Sequence, residues 1–235
     1  MLLGHNESCI LKYIDKNMDG GFLELLKKEL KQFIITLTEE QQALQQTSSE
    51  IALYKEEKNY LEKYLLSDEF NSELTFVEKK PNTRFEDAYI ERSMKATEEV
   101  IAIETASFLQ QPLNYLKDHK EEFIYLESKW VELIGVDAIS LEVDDVFGNY
   151  DAMVGLKMQK KLEKTIKGYL DKELSNSNMS YDLLFNPDDG LWDLNVTLDD
   201  MNHFEESISI GDAFTLIYRF LFKLAEALET EEGSK

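Results

Sequence analysis

The stretch that decides the fold of the second half lies at residues 180–198 and reads SYDLLFNPDDGLWDLNVTL. Two strand-like runs, Ser180–Phe185 and Leu191–Leu198, flank the segment Asn186–Gly190, whose Asn, Pro, Asp and Gly residues favour a turn. In the second run the apolar and polar residues alternate strictly: Trp192, Leu194, Val196 and Leu198 against Asp193, Asn195 and Thr197. The pattern predicts a β-hairpin with one buried and one solvated face.

The segments around this hairpin predict a small α+β unit at residues 136–235. Ala138–Val143 alternates like a strand, and a helix is expected from about Tyr150 to Leu174. An amphipathic helix is expected at Asp212–Leu228. The resulting order β-α-β-β-α predicts a small antiparallel sheet that helices cover on one side.

The first part of the chain, residues 1–135, predicts helices. Phe22–Leu66 contains neither Gly nor Pro and repeats apolar residues at heptad spacing, which favours one long helix or a helical hairpin. After a connector with a short strand at Leu74–Val77, helices are expected at Phe85–Gln110 and Leu113–Ile134. The predicted fold is therefore a mainly helical α+β protein with an N-terminal antiparallel helical bundle or hairpin. Whether the two parts share one core stays open.

Charge and composition exclude several classes of function. The 235 residues include 47 acidic residues against 25 Lys plus Arg, and the net charge is −22. Such a chain is not expected to bind nucleic acid or anionic lipid. Its start, MLLGHNESCILKYI, lacks a basic segment followed by a clean apolar run, so we expect no secretion signal. The single Cys9 excludes an internal disulfide, and we predict a cytoplasmic location.

One segment resembles the calcium loop of the EF-hand. Asp15, Asn17 and Asp19 offer oxygen ligands at the first, third and fifth positions, and Gly20 follows at the sixth. The twelfth position is Leu26 instead of a bidentate Glu, and the sequence offers no second loop to pair with it. The alternative interpretation is a Gly-Gly break between helices, decorated with turn-forming residues. Calcium is the one cofactor that the sequence suggests.

The sequence favours a protein without catalytic activity over an enzyme. The chain lacks a nucleophile elbow, a phosphate-binding loop, a dinucleotide fingerprint and a His-Glu-x-x-His motif, so we predict no catalytic residues. One alternative is a divalent-metal enzyme that uses Asp199, Asp200 and His203. Another is a helical scaffold that self-associates through Phe22–Leu66, although intramolecular packing of that segment is favoured. We expect a monomer or a weak homodimer.

The charge is distributed unevenly. No Lys or Arg occurs from Glu173 through Tyr218, a stretch that includes the hairpin. This asymmetry favours a non-enzymatic, acidic module that binds a basic protein and inhibits it, as an immunity protein does. The alternative is that the acidic residues only keep the protein soluble. The predicted partner-binding residues are the acids Asp182, Asp188, Asp189, Asp193, Asp199 and Asp200, with Trp192 or Tyr181 as an aromatic anchor.

Overall fold

A computed structural model describes residues 25–43, 50–64, 74–174 and 181–232. The helices are α1 (Leu25–Ala43), α2 (Lys55–Lys63), α3 (Tyr115–Asp118), α4 (Lys129–Leu133), α5 (Glu163–Glu173) and α6 (Ile210–Glu232). The strands are β1 (Glu50–Leu53), β2 (Thr75–Glu78), β3 (Tyr89–Met94), β4 (Val100–Glu104), β5 (Glu122–Glu127), β6 (Val136–Val143), β7 (Tyr150–Leu156), β8 (Tyr181–Asn186) and β9 (Leu191–Thr197).

Seven of the strands form one antiparallel sheet in the order β4-β3-β5-β6-β7-β9-β8, and β1 and β2 form a separate parallel pair. The predicted hairpin is confirmed as β8 and β9, with Leu183 opposite Leu194. Its turn closes through the N–H of Gly190, which donates to the carbonyl of Asn186. Gly190 has φ +70°, a conformation that glycine adopts without strain.

The predicted N-terminal helical bundle is wrong, because residues 85–134 form β3, β4 and β5 with only short helices between them. The apolar residues of this region match a strand better than a helix. β4 reads VIAIE, and its β-branched side chains favour extended backbone. β5 buries alternate residues, as a strand does when it covers a core with one face. The core is therefore a sheet-rich α+β structure.

Two other predicted helices are shorter than expected. The helix from Tyr150 begins as β7, which pairs with both β6 and β9, and helix α5 starts only at Glu163. The heptad segment is interrupted after α1 by β1 and α2. Leu26 and Leu30 from the heptad pattern are buried within the chain's own core, as the intramolecular alternative predicted. The strand at residues 74–77 and the last helix are confirmed as β2 and α6.

The described helices pack on one face of the sheet. The long helix α6 is buried on several sides and contacts α1 and α5. Its Phe222 ring lies 6.0 Å from that of Tyr60 in α2, and its Phe220 ring lies 5.5 Å from that of Tyr169 in α5. Buried residues from Leu26 to Leu228 form one continuous apolar cluster. β5 pairs with β6, so the sheet crosses residue 135 without interruption.

A buried ionic cluster joins α2 to α6. Arg84, on the loop before β3, is 1 % exposed, and its Nη1 donates to Oε1 of Glu57 at 2.6 Å. The guanidinium lies between two aromatic rings, 3.9 Å from the centroid of Tyr218 and 4.1 Å from that of Tyr54. The Tyr218 hydroxyl also donates to Glu57, and burial raises the pKa of Tyr218 well above its usual value. No sequence motif marks this cluster.

Candidate functional site: the open face of the sheet

None of the described helices covers the second face of the sheet. Large apolar side chains on this face are unusually exposed: Ile103 at 58 % and Leu184 at 61 %. One row crosses all seven strands, because each residue is paired with the next in the register: Ile103, Glu91, Tyr125, Ser140, Met153, Asn195 and Asp182. We define these residues and their neighbours on the same side of the strands as the open face.

The open face is strongly acidic. Its strands contribute seven carboxylates and neither Lys nor Arg; the acids are Glu91, Glu127, Asp137, Glu142, Asp151, Asp182 and Asp193. Two lysines from adjacent loops reach it: Lys157 Nζ lies 2.7 Å from Asp137, and Lys95 Nζ lies 3.7 Å from Glu142. The uncompensated carboxylates create a negative potential that attracts cationic groups.

Two of these acids repel each other. Glu142 and Asp151 lie directly opposite one another on β6 and β7. Like charges in this position destabilise a sheet. Burial raises the pKa of both carboxyl groups, and for Asp151 a hydrogen bond from the Thr197 hydroxyl at 2.8 Å acts in the opposite direction. Lys95 offsets part of this repulsion, and a further cationic group from a partner would offset more of it.

Two tyrosines on the open face are held by neighbouring acids. The Tyr89 hydroxyl donates to Glu91 at 2.5 Å, and the Tyr125 hydroxyl donates to Glu127 at 2.6 Å. Their rings meet edge to face at 6.4 Å. A hydrogen bond from Ser93, together with the one from Tyr89, lowers the pKa of Glu91. Oriented aromatic rings beside ionised carboxylates suit a partner that offers Lys or Arg together with apolar groups.

A shallow depression of about 440 Å³ lies beside Tyr125. Tyr125, Met153 and Leu184 line it together with the exposed acids Asp182 and Asp193. The structure thus places two of the predicted partner-binding acids in a recess that combines negative charge with apolar surface. Such a combination is typical of contact surfaces between proteins.

The structure places the predicted aromatic anchors elsewhere. Trp192 lies on the helix-covered face, where it is 2 % exposed and its ring packs 5.0 Å from that of Phe185. Tyr181 lies on the same side and donates its hydroxyl to Asp171 at 2.6 Å. Trp192 cannot reach a partner, because contacts with its own chain enclose it. The exposed aromatic residue on the open face is Tyr89. Tyr89 and Glu91 are two positions apart, the spacing that places side chains on one face of a strand, and this pattern is the sequence signal for the pair.

The predicted acids do not form one patch. Asp188 and Asp189 lie in the β8–β9 turn, whereas Asp199 and Asp200 follow the other end of β9, about 20 Å away at the rise of a strand. Asp199 has a local role, since its carboxylate accepts the N–H of Tyr150 at 2.8 Å. Only Asp182 and Asp193, from the middle of the hairpin, lie on the open face.

The proposed metal residues Asp199, Asp200 and His203 are not among the converging groups. Within the described ranges, the acids and histidines whose ligand atoms lie within 4.8 Å of one another are His119, Glu121 and Glu122. Glu122 already accepts hydrogen bonds from Arg92 at 3.0 Å and from Tyr115 at 2.9 Å, which gives it a role in the fold. The calcium-loop residues Asp15, Asn17 and Asp19 lie outside the described residues.

Comparisons with known proteins leave the function to be argued from this geometry. No family model matches the chain, and neither do any curated proteins or solved structures. Among the described helices, none combines the length and the apolar character needed to cross a membrane.

Proposed function

We propose that this chain is a binding module that holds a basic protein against the open face of its sheet. The observation that supports the proposal is the seven carboxylates on one uncovered face, interleaved with the exposed side chains of Tyr89, Ile103, Met153 and Leu184. The charges attract a basic partner and speed its association, and the apolar side chains supply contact area once it is bound.

The chemistry of the face favours a protein over other partners. Nucleic acid and anionic lipid would meet the same carboxylates and be repelled. A basic protein that uses its positive surface for its own activity, such as a nuclease, would be blocked while bound to this face. The proposal therefore includes an inhibitory role of the kind that immunity proteins have.

The test is affinity capture from an extract of the source cells, followed by kinetics with the purified captured protein. The open-face variant combines Asp182→Asn, Asp193→Asn and Glu142→Gln. A matched control removes the same number of charges from the exposed positions Glu39, Glu40 and Glu62 on α1 and α2, each changed to Gln.

We expect a basic protein that wild type and the matched control both retain. Its association rate at low salt should fall by roughly tenfold in the open-face variant, with a weaker dependence on ionic strength. If the two triple variants slow association equally, net charge alone is responsible and the open face is not the binding surface.

A further inference from the structure

The turn between β6 and β7, residues 144–149, presents two apolar side chains to solvent. Val146 is 80 % exposed and Phe147 is 76 % exposed, more than any other large apolar residue in the described ranges. Scattered exposed apolar residues are common, but two neighbours at the tip of a hairpin form a protruding apolar surface. We define Val146 and Phe147 as the tip.

Hydrogen bonds within the turn fix the shape of the tip. Asp144 Oδ1 accepts the N–H groups of Val146 at 2.9 Å and of Phe147 at 2.5 Å. The N–H of Gly148 donates to the carbonyl of Asp144 at 2.9 Å, and Gly148 has φ +73°, which favours glycine. A turn that is already ordered loses little conformational entropy when it is bound.

The charges around the tip indicate what it contacts. Glu142, Asp144 and Asp145 precede it and Asp151 follows it, while the carboxylate of Asp199 accepts the N–H of Tyr150 at the start of β7. Two cations lie nearby, and both are paired with acids: Lys95 Nζ lies 3.5 Å from Asp145, and Lys117, 4.9 Å from the centroid of the Tyr150 ring, pairs with Glu206. Anionic lipid would be repelled, and a second copy of the chain would bring the same acids together. An apolar pocket with Lys or Arg at its rim complements both the tip and its surroundings.

We propose that the tip inserts into an apolar pocket, rimmed by Lys or Arg, on the basic protein that the open face binds. The contact then continues from the open face past the β6–β7 end of the sheet, and it does not include the β8–β9 turn with Asp188 and Asp189. This inference rests on the proposed function and adds to it the position of the partner and the kind of pocket the partner offers.

The experiment compares three variants of the full chain, with the purified basic protein from the capture experiment as the probe. The tip variant is Val146→Ser with Phe147→Ser. The far-end variant is Asp188→Asn with Asp189→Asn, and the apolar control is Ile35→Ser, on α1 and 43 % exposed. Because all these side chains are exposed, each variant should keep the thermal midpoint of wild type.

We expect the tip variant to bind roughly 100-fold more weakly, equivalent to about 2.8 kcal/mol. The loss should appear in the dissociation rate and leave the dependence on ionic strength unchanged, since no charge is altered. The far-end and Ile35 variants should bind within about threefold of wild type.

Several outcomes would overturn the inference. If the open-face variant weakens association while the tip variant binds like wild type, the tip is not a contact and the proposed function stands. If no basic protein is captured, both proposals fail. Tip-dependent binding to vesicles with anionic lipid, or a tip-dependent dimer of the chain alone in sedimentation, would assign the tip to a different contact.

Discussion

Removal of the Arg84 side chain should reveal how strongly the buried ionic cluster stabilises the fold. Arg84→Met keeps most of the side-chain volume but leaves the carboxylate of Glu57, which is fully buried, with the Tyr218 hydroxyl and no cation. Breaking a buried ion pair by removing one partner typically costs about 3–5 kcal/mol. The contacts of the guanidinium with the Tyr54 and Tyr218 rings are also lost, which places the expected effect at the upper end of that range.

A second variant separates the unpaired charge from the loss of packing. Glu57→Gln, combined with Arg84→Met, removes the unpaired carboxylate while its amide oxygen still accepts from Tyr218. We expect the double variant to recover much of the loss, to within about 2 kcal/mol of wild type, because replacing both members of a buried pair is often close to neutral. Glu56 keeps a partner in both variants, since Arg219 Nε lies 2.8 Å from it.

The measurement is guanidinium unfolding followed by circular dichroism, with the free energy of unfolding taken from the midpoint at constant slope. Lys63→Met serves as the control, because it breaks an ion pair with Glu226 at 2.7 Å in which Lys63 is 60 % exposed. An exposed pair contributes at most about 1 kcal/mol. The reasoning is refuted if Arg84→Met lowers the free energy of unfolding no more than Lys63→Met does. It is also refuted if the loss of free energy in the double variant equals the sum of the losses in Arg84→Met and Glu57→Gln measured separately.

Four further substitutions test other parts of the structure. Because burial raises the pKa of Glu142, the ionised carboxyl group disfavours folding, and Glu142→Gln should raise the thermal midpoint near pH 7. The gain should vanish below pH 4.5, the ordinary pKa, because the carboxyl group is then protonated in both the folded and the unfolded protein. Gly168→Ala, within α5 and facing open space, should raise the free energy of unfolding by about 0.5–1 kcal/mol in the denaturant assay. Gly190→Ala, at φ +70°, should lower it by about 1–2 kcal/mol. Trp192→Ala should cost about 3–5 kcal/mol in that assay while the folded fraction keeps wild-type affinity for the basic protein; a selective loss of binding would show that Trp192 does contact the partner.

The sequence predicts an element well where a short-range pattern alone determines it. In the β8–β9 hairpin the second strand alternates strictly and the turn residues close the hairpin locally. The apolar pattern of α6 is long enough to exclude a strand. In β3 and β5 the apolar alternation is interrupted, because Arg92 and Glu122 lie at positions that face the helices. These two residues pair with each other at 3.0 Å. Their burial depends on a contact between different strands, which no local pattern contains.

The same limit explains why the acidic stretch of the sequence and the acidic surface of the fold differ. Antiparallel pairing sends Asp189 and Asp199 to opposite ends of β9, although they are close in sequence. Pairing through β3, β5, β6 and β7 instead brings Glu91 onto the same face as Asp193, about 100 residues away. Strand order decides which acidic residues become neighbours, and the pleat of each strand decides which face of the sheet their side chains lie on. The candidate binding surface is therefore a property of the sheet as a whole. Removing acids from the open face should slow association with the basic protein, whereas removing the same number of acids from the helices should not.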